Sequence, residues 1–140
     1  MQNSGYSGTP LAKKLGIKNG NRIRLVNEPA HYFELFTDLP ADIHFLKDKK
    51  SCKDIVHYFT TLFKTLQRDI ISLKNEIEPD GMIWVSWPKK ASKVPTDVTE
   101  DLIRALALAN GLVDVKVCAV DEVWSGLKLV IPVKDRKGKA

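Results

Sequence analysis

Cysteine is scarce. The chain has only Cys52 and Cys118 among its 140 residues, too few for a disulfide framework and without the C-x-x-C spacing of a redox or zinc motif. Cys118 sits in an alternating apolar run with Val115, Val117 and Ala119 and reads as a small core residue, whereas Cys52 reads as a free surface thiol. Long apolar runs are also missing: none approaches the ~18 residues of a membrane span. The opening Met1-Gln2-Asn3-Ser4-Gly5 has no apolar stretch behind a basic start. A cytoplasmic location with no membrane partner is the expectation. Neither a G-x-S-x-G elbow nor a P-loop occurs. His31 and His44 show no spaced partner, and His57, alone in an apolar strand, reads as a hydrogen-bonded structural residue, so no metal site is legible.

What is present suits one folded domain. A chain of this size buries roughly two-thirds of its unfolded surface, and 44% hydrophobic with 28% charged residues is far from the balance of a disordered chain. The domain is expected over 1–133, with a basic, frayed tail over 134–140. Net charge is +5, with the excess in 47–53, in Lys89, Lys90 and Lys93, and in the tail. This favours anions in general, and a nucleic-acid partner is not expected on that ground alone.

The periodicities alternate strand and helix. Thr9 is placed to cap a first helix with Pro10 at its first position, Leu11 and Leu15 sharing a face and Gly16 ending it. A strand is predicted over 22–27, a helix from Pro29 carrying Tyr32, Phe33 and Phe36, and a short strand over 43–46. The unbroken apolar run 55–59 has the pattern of a strand covered on both faces. Leu62, Leu66, Ile70, Leu73 and Ile77 then form a helical stripe, broken at Pro79-Asp80-Gly81 before a strand over 82–87 that stops at Pro88. A polar loop leads to a helix capped by Thr96, Asp97 or Thr99, bearing Val98, Leu102, Leu106 and Ala109 and closed by Asn110-Gly111. Strands over 112–120 and 127–133 flank a hairpin connection over 121–126. The pattern predicts a three-layer, Rossmann-like α/β fold: a mostly parallel sheet of about six strands with a C-terminal antiparallel hairpin.

Ligands of such sheets gather beyond the carboxyl ends of the strands. That rule selects 27–31, Thr60-Thr61, and above all the loop holding Ser86, Trp87, Lys89, Lys90, Ser92, Thr96 and Asp97, whose hydroxyls, amines and indole suit a phosphate or carboxylate. A bland alternative has Trp87 packed against the sheet edge, Pro88 and Pro95 stiffening the loop, and the lysines merely solvated. The hairpin tip places Asp121 and Glu122 beside Trp124, although adjacent positions on an extended segment face opposite ways. The Tyr6-Ser7-Gly8-Thr9 turn completes the candidate surface.

The stretches 5–17, Trp84-Val85-Ser86-Trp87-Pro88-Lys89-Lys90-Ala91-Ser92, 113–122 and Trp124-Ser125-Gly126-Leu127-Lys128 resemble a bacterial family classed only as domain of unknown function 3052. The likeness spans nearly the whole chain, implies no activity and transfers no site residue. In architecture the chain also resembles a small methyltransferase domain. That resemblance implies S-adenosylmethionine held by a glycine-rich turn after the first strand. Here the turn reads Asn27-Glu28-Pro29-Ala30-His31, with no glycine and with a proline that removes a backbone donor. No resident cofactor is expected. The leading expectation is a noncatalytic binding or regulatory domain holding an anionic small molecule or a protein. The alternative is a divergent transferase on a nucleotide-like or phosphorylated substrate, with Lys89 or Lys90 neutralising phosphate and Asp121 or Glu122 as base.

Overall fold

The apolar run around Ile55 becomes the middle of a six-stranded sheet in the computed structural model, which describes residues 9–136. The elements, in chain order, are α1 (Leu11–Leu15), β1 (Arg22–Val26), β2 (His44–Phe45), β3 (Lys53–Phe59), α2 (Phe63–Glu76), β4 (Ile77–Pro88), α3 (Glu100–Ala109), β5 (Val113–Ala119) and β6 (Trp124–Val130). The strand order is β2-β1-β3-β4-β6-β5. The first four strands are mutually parallel, while β6 runs antiparallel to both β4 and β5. The predicted hairpin is present, but its second strand is inserted inside the sheet and β5 takes the edge. Among the described residues no helix is long and apolar enough to cross a membrane.

Each face of the sheet carries its own core. On one, α2 and α3 pack Leu66, Ile70, Leu73, Ile103 and Ala107 against Val56, Tyr58, Ile83, Val85, Leu127 and Leu129. On the other, α1 and the chain around Phe36 cover Ile23, Ile55 and Trp84. The Trp84 indole donates to the Leu15 carbonyl at 2.9 Å, fixing α1 to the sheet.

Several boundaries differ from expectation. Pro10 is the extended residue before α1 and not its first helical position, and its own side chain does not cap the helix. The carboxylate of Asp38 does so from across the fold, accepting from the Ala12 and Lys13 N–H groups at 3.1 Å each. The helix expected from Pro29 shrinks to a 3₁₀ turn over Tyr32–Leu35. Of the three candidate caps for α3, Thr99 is the one, accepting from Leu102 N–H at 3.2 Å.

Pro79-Asp80-Gly81 does not separate α2 from its strand by a loop. Chain 77–88 is continuous strand, with extra residues bulged out between the pairs Lys53–Ile77 and Ile55–Met82. Gly81 permits this: a Cβ there would stand 3.0 Å from the Lys53 carbonyl oxygen and 3.1 Å from that of Asp54. Strand β6 likewise begins at Trp124, earlier than predicted, because the Asp121 carboxylate tightens the turn by accepting from the N–H groups of Val123 (2.8 Å) and Trp124 (2.7 Å). Residues 131–133 leave the sheet, where the last strand was expected to continue, and Val133–Asp135 forms a 3₁₀ turn.

At the amino ends of the strands lies a buried ionic cluster that sequence did not disclose. Lys53, at the end of the basic run 47–53, is fully buried. Its ammonium lies 3.2 Å from Glu76 and donates to the carbonyls of Asp48 (2.8 Å) and Ser51 (2.6 Å). Arg24 grips the same Glu76 with two hydrogen bonds of 2.5 and 2.7 Å. Beside them Arg22 reaches Glu78 at 2.8 Å and Asp54 at 3.4 Å. Each buried charge is matched, as the low dielectric there demands.

Candidate functional site

From β1 the chain runs outward to β2, then returns to β3 on the other side of β1. This reversal is the topological switch point, whose crevice at the carboxyl ends is the usual ligand site of an open α/β sheet. Here the chain's own residues pack it. Asn27 leaves β1 with φ 58, a left-handed conformation that asparagine tolerates, and its amide donates to the Phe59 carbonyl at 3.4 Å. The following turn sends Tyr32 inward, where it is 1% exposed. The Tyr32 hydroxyl meets His57 Nδ1 at 3.1 Å, and His57 Nε2 meets Ser86 Oγ at 2.8 Å.

Aromatic rings fill the space around this chain of hydrogen bonds. Phe59 stacks on His57 with centroids 4.3 Å apart, and Trp124 meets Phe59 edge-on at 5.1 Å. Tyr32 contacts Phe36 at 5.2 Å and Phe33 at 5.3 Å. At the rim, His31 Nε2 lies 3.0 Å from Asp121 Oδ2, joining the loop after β1 to the hairpin turn, and Lys89 N–H donates to the Val123 carbonyl at 2.7 Å.

The arrangement of the sheet and its helices matches known structures. The fold is methyltransferase-like. A SAM dependent methyltransferase from Aquifex aeolicus superposes with a TM-score of 0.62 at 15% identity, over 86% of this chain and 87% of that one. The ribosomal protein L11 methylase of Lactobacillus delbrueckii subsp. bulgaricus gives 0.56 at 12% identity over 86% and 74%, and the fibrillarin pre-rRNA processing protein of Methanococcus jannaschii 0.52 at 10% over 91% and 71%. At such identities the likeness is one of fold alone. No family model matches the sequence, and no curated protein matches it.

Within this methyltransferase-like frame the predicted site residues scatter. Tyr6 and Ser7 lie outside the described residues, and Thr9 precedes α1. Ser86 is fully buried on His57, so it presents no hydroxyl to a ligand. Trp87 faces the other way, into the core beneath α2 and α3. The rest of that loop is tied to the fold. Ser92 donates to the Lys89 carbonyl at 2.7 Å, and Thr96 to that of Thr61 at 2.7 Å. Asp97 caps α2, accepting from Phe63 N–H at 2.8 Å. Lys89 is half-buried and Lys90 exposed. Of the hairpin residues, Asp121 holds the turn and His31, Trp124 packs on Phe59, and Glu122 is exposed.

Lys89, Asp121 and Trp124 therefore do converge on one rim, joined by His31, Tyr32 and Phe59, which sequence reasoning passed over. The available signal was the density of aromatics over 32–36 directly after a turn without glycine. Among the described residues no group of three or more His, Cys, Asp or Glu could hold a metal ion.

His57 fulfils the structural role expected of it, and burial pushes its pKa from 6.5 down to about 3, so the imidazole is neutral in the folded protein. Burial, assisted by the charge of Glu28, pushes the Tyr32 phenol well above its ordinary range, so it too stays neutral. Unfolding releases His57 to take up a proton at any pH between those two imidazole values. The unfolded state then binds more protons, so stability rises with pH through that window and is lost as pH falls from 6.5 towards 3. Urea unfolding between about pH 7 and 5, where most carboxylates stay ionised, should show this loss at up to ~1.4 kcal/mol per pH unit, and His57→Gln should flatten it.

Proposed function

We propose that the chain is a noncatalytic binding or regulatory domain that keeps the shape of a methyltransferase while its own side chains fill the cofactor crevice. The observation that carries this reading is the burial of Tyr32 against His57 and Phe59 at the switch point. The turn that leads to it supports the same conclusion, since Pro29 and the closing amide of Asn27 stand where a cofactor needs bare backbone. S-adenosylmethionine does not fit these residues as they stand. The rim made by His31, Lys89, Lys90, Glu122 and Trp124 offers an exposed imidazole, amines and one carboxylate to an anionic small molecule or a protein partner in the cytoplasm. Membership of the bacterial family that the sequence resembles belongs to the same proposal.

A second reading, a divergent transferase acting on a nucleotide-like or phosphorylated substrate, draws on the pair His31–Asp121. A carboxylate holding an imidazole at a rim is an arrangement suited to general-base work. Thermal unfolding with S-adenosylmethionine, its demethylated product and nucleotides separates the two. Selective binding at one hundred times Kd adds about 2.7 kcal/mol of stability. The expected result is no shift with S-adenosylmethionine or its product. A saturable shift with either would overturn the noncatalytic reading.

A further inference from the structure

Elsewhere in the described fold, the buried and half-buried arginines and lysines of the sheet and α3 have acidic partners. Arg22 has Asp54 and Glu78, Arg24 and Lys53 share Glu76, and Arg104 reaches Glu100, Asp101 and Asp114. The face of the β5–β6 hairpin breaks this pattern. Lys116 of β5 and Lys128 of β6 are direct cross-strand partners. Residues so placed share a face with their Cβ atoms ~5 Å apart, and like charges there oppose folding. Among the described residues no carboxylate forms an ion pair with either lysine.

The surroundings add to the charge. Lys128 lies beside Trp84, its partner on β4, on the face that α1 covers. The last turn of α1 carries Lys13 and Lys14. Burial raises the Cys118 pKa against the opposing fields of Lys14 and Lys116, so both lysines act at one point of this face. Arg136, held by its Nε donating to the Ile131 carbonyl at 2.8 Å, comes near from the C-terminal side. Burial first, then the charges of Lys116 and Arg136, push the Lys128 ammonium below its ordinary pKa. Three separate stretches of chain thus bring cations to one surface.

We propose that Lys116, Lys128 and Arg136, bordered by Lys14, form a binding site for a small phosphate-bearing anion of the pyrophosphate or phosphoester class. Two ammonium groups on adjacent strands converge on a single oxyanion, which would relieve the cross-strand repulsion. Two places along the same face lie Cys118 on β5 and Gly126 on β6, and the neighbouring Trp84 is buried, so the bases of a nucleic acid meet no aromatic platform beside the lysines. The site is distinct from the rim, since Lys128 is four residues along β6 from Trp124, ~13 Å away at strand rise. It does not depend on the crevice being closed, so its failure and that of the noncatalytic reading are separate results.

Pyrophosphate titrated at constant ionic strength, read by thermal shift and calorimetry, tests the proposal. Wild type should show a saturable rise in Tm. Lys128→Met should weaken binding at least tenfold while raising the ligand-free Tm, because the substitution removes repulsion at a half-buried position. Lys116→Met should weaken binding similarly, and Lys64→Met on the exposed face of α2 should leave it unchanged. The gain in ligand-free stability together with the loss of binding separates a site from a merely structural lysine. Absence of saturable pyrophosphate binding by wild type, or its retention by Lys128→Met, overturns the proposal. Binding of a short single-stranded RNA without pyrophosphate binding overturns it in favour of an extended phosphate backbone.

Discussion

Replacing Tyr32 with alanine should cost about 3–5 kcal/mol of folding stability, the range for removing a large buried ring that its surroundings cannot close over. The Tyr32 ring is the hub of the filled crevice: it touches Phe33, Phe36, His57 and Phe59, and its hydroxyl bonds a neutral imidazole with no access to water. Tyr32→Phe keeps the packing and removes the hydroxyl, leaving His57 Nδ1 without its partner, for about 1–3 kcal/mol. Urea unfolding of both variants at neutral pH gives the two numbers. The alanine variant also probes function, because the space it opens lies where a methyltransferase fold takes its ligand. A loss below about 1 kcal/mol, well under the usual cavity cost, combined with acquired binding of S-adenosylmethionine, would recast Tyr32 as a displaceable lid.

Glu76→Ala should be comparably severe, about 3–5 kcal/mol, for an electrostatic reason. Glu76 is 3% exposed and answers both Arg24 and Lys53, the latter 0% exposed. Its removal leaves Arg24 without its carboxylate and Lys53 with two backbone carbonyls and the more distant, exposed Asp48 carboxylate at 3.7 Å. The comparison is Glu100→Ala on α3. That residue bonds Arg104 at the surface, where Asp101 and Asp114 also reach the guanidinium, and an exposed pair contributes about 0–1 kcal/mol. Denaturant midpoints for the two variants, read side by side, should differ severalfold in effect. Equal losses would show that the amino-end cluster is solvated in solution and does not lock β1, β3 and β4 together.

Local pattern carried far in this chain wherever one element decides its own conformation. The spacing of Leu66, Ile70 and Leu73 marks α2 because a helix repeats its face every 3.6 residues, and the unbroken run at Ile55 marks β3 because both faces of a central strand are covered. Gly16 and Gly111 mark helix ends through φ values of 79 and 78 that other residues avoid. The same reasoning reaches less far on the loop after β4. There hydroxyls and charges suggested a ligand surface, yet Ser92, Thr96 and Asp97 spend their hydrogen bonds on neighbouring backbone, as short polar side chains do in turns.

By itself, then, the sequence determined the α/β class, the order of the elements and the hydrogen-bonded structural role of His57, since each depends on periodicity, on turn chemistry or on one residue's apolar setting. Only the tertiary structure decided that β6 enters between β4 and β5. It alone decided that Tyr32 closes the crevice, that Asp121 meets His31 across 90 residues, that Glu76 meets Arg24 across 52, and that Lys116 faces Lys128. The reason is physical: a local pattern states which face of an element is apolar, whereas the partner a polar or aromatic side chain finds depends on which distant strand the chain lays beside it.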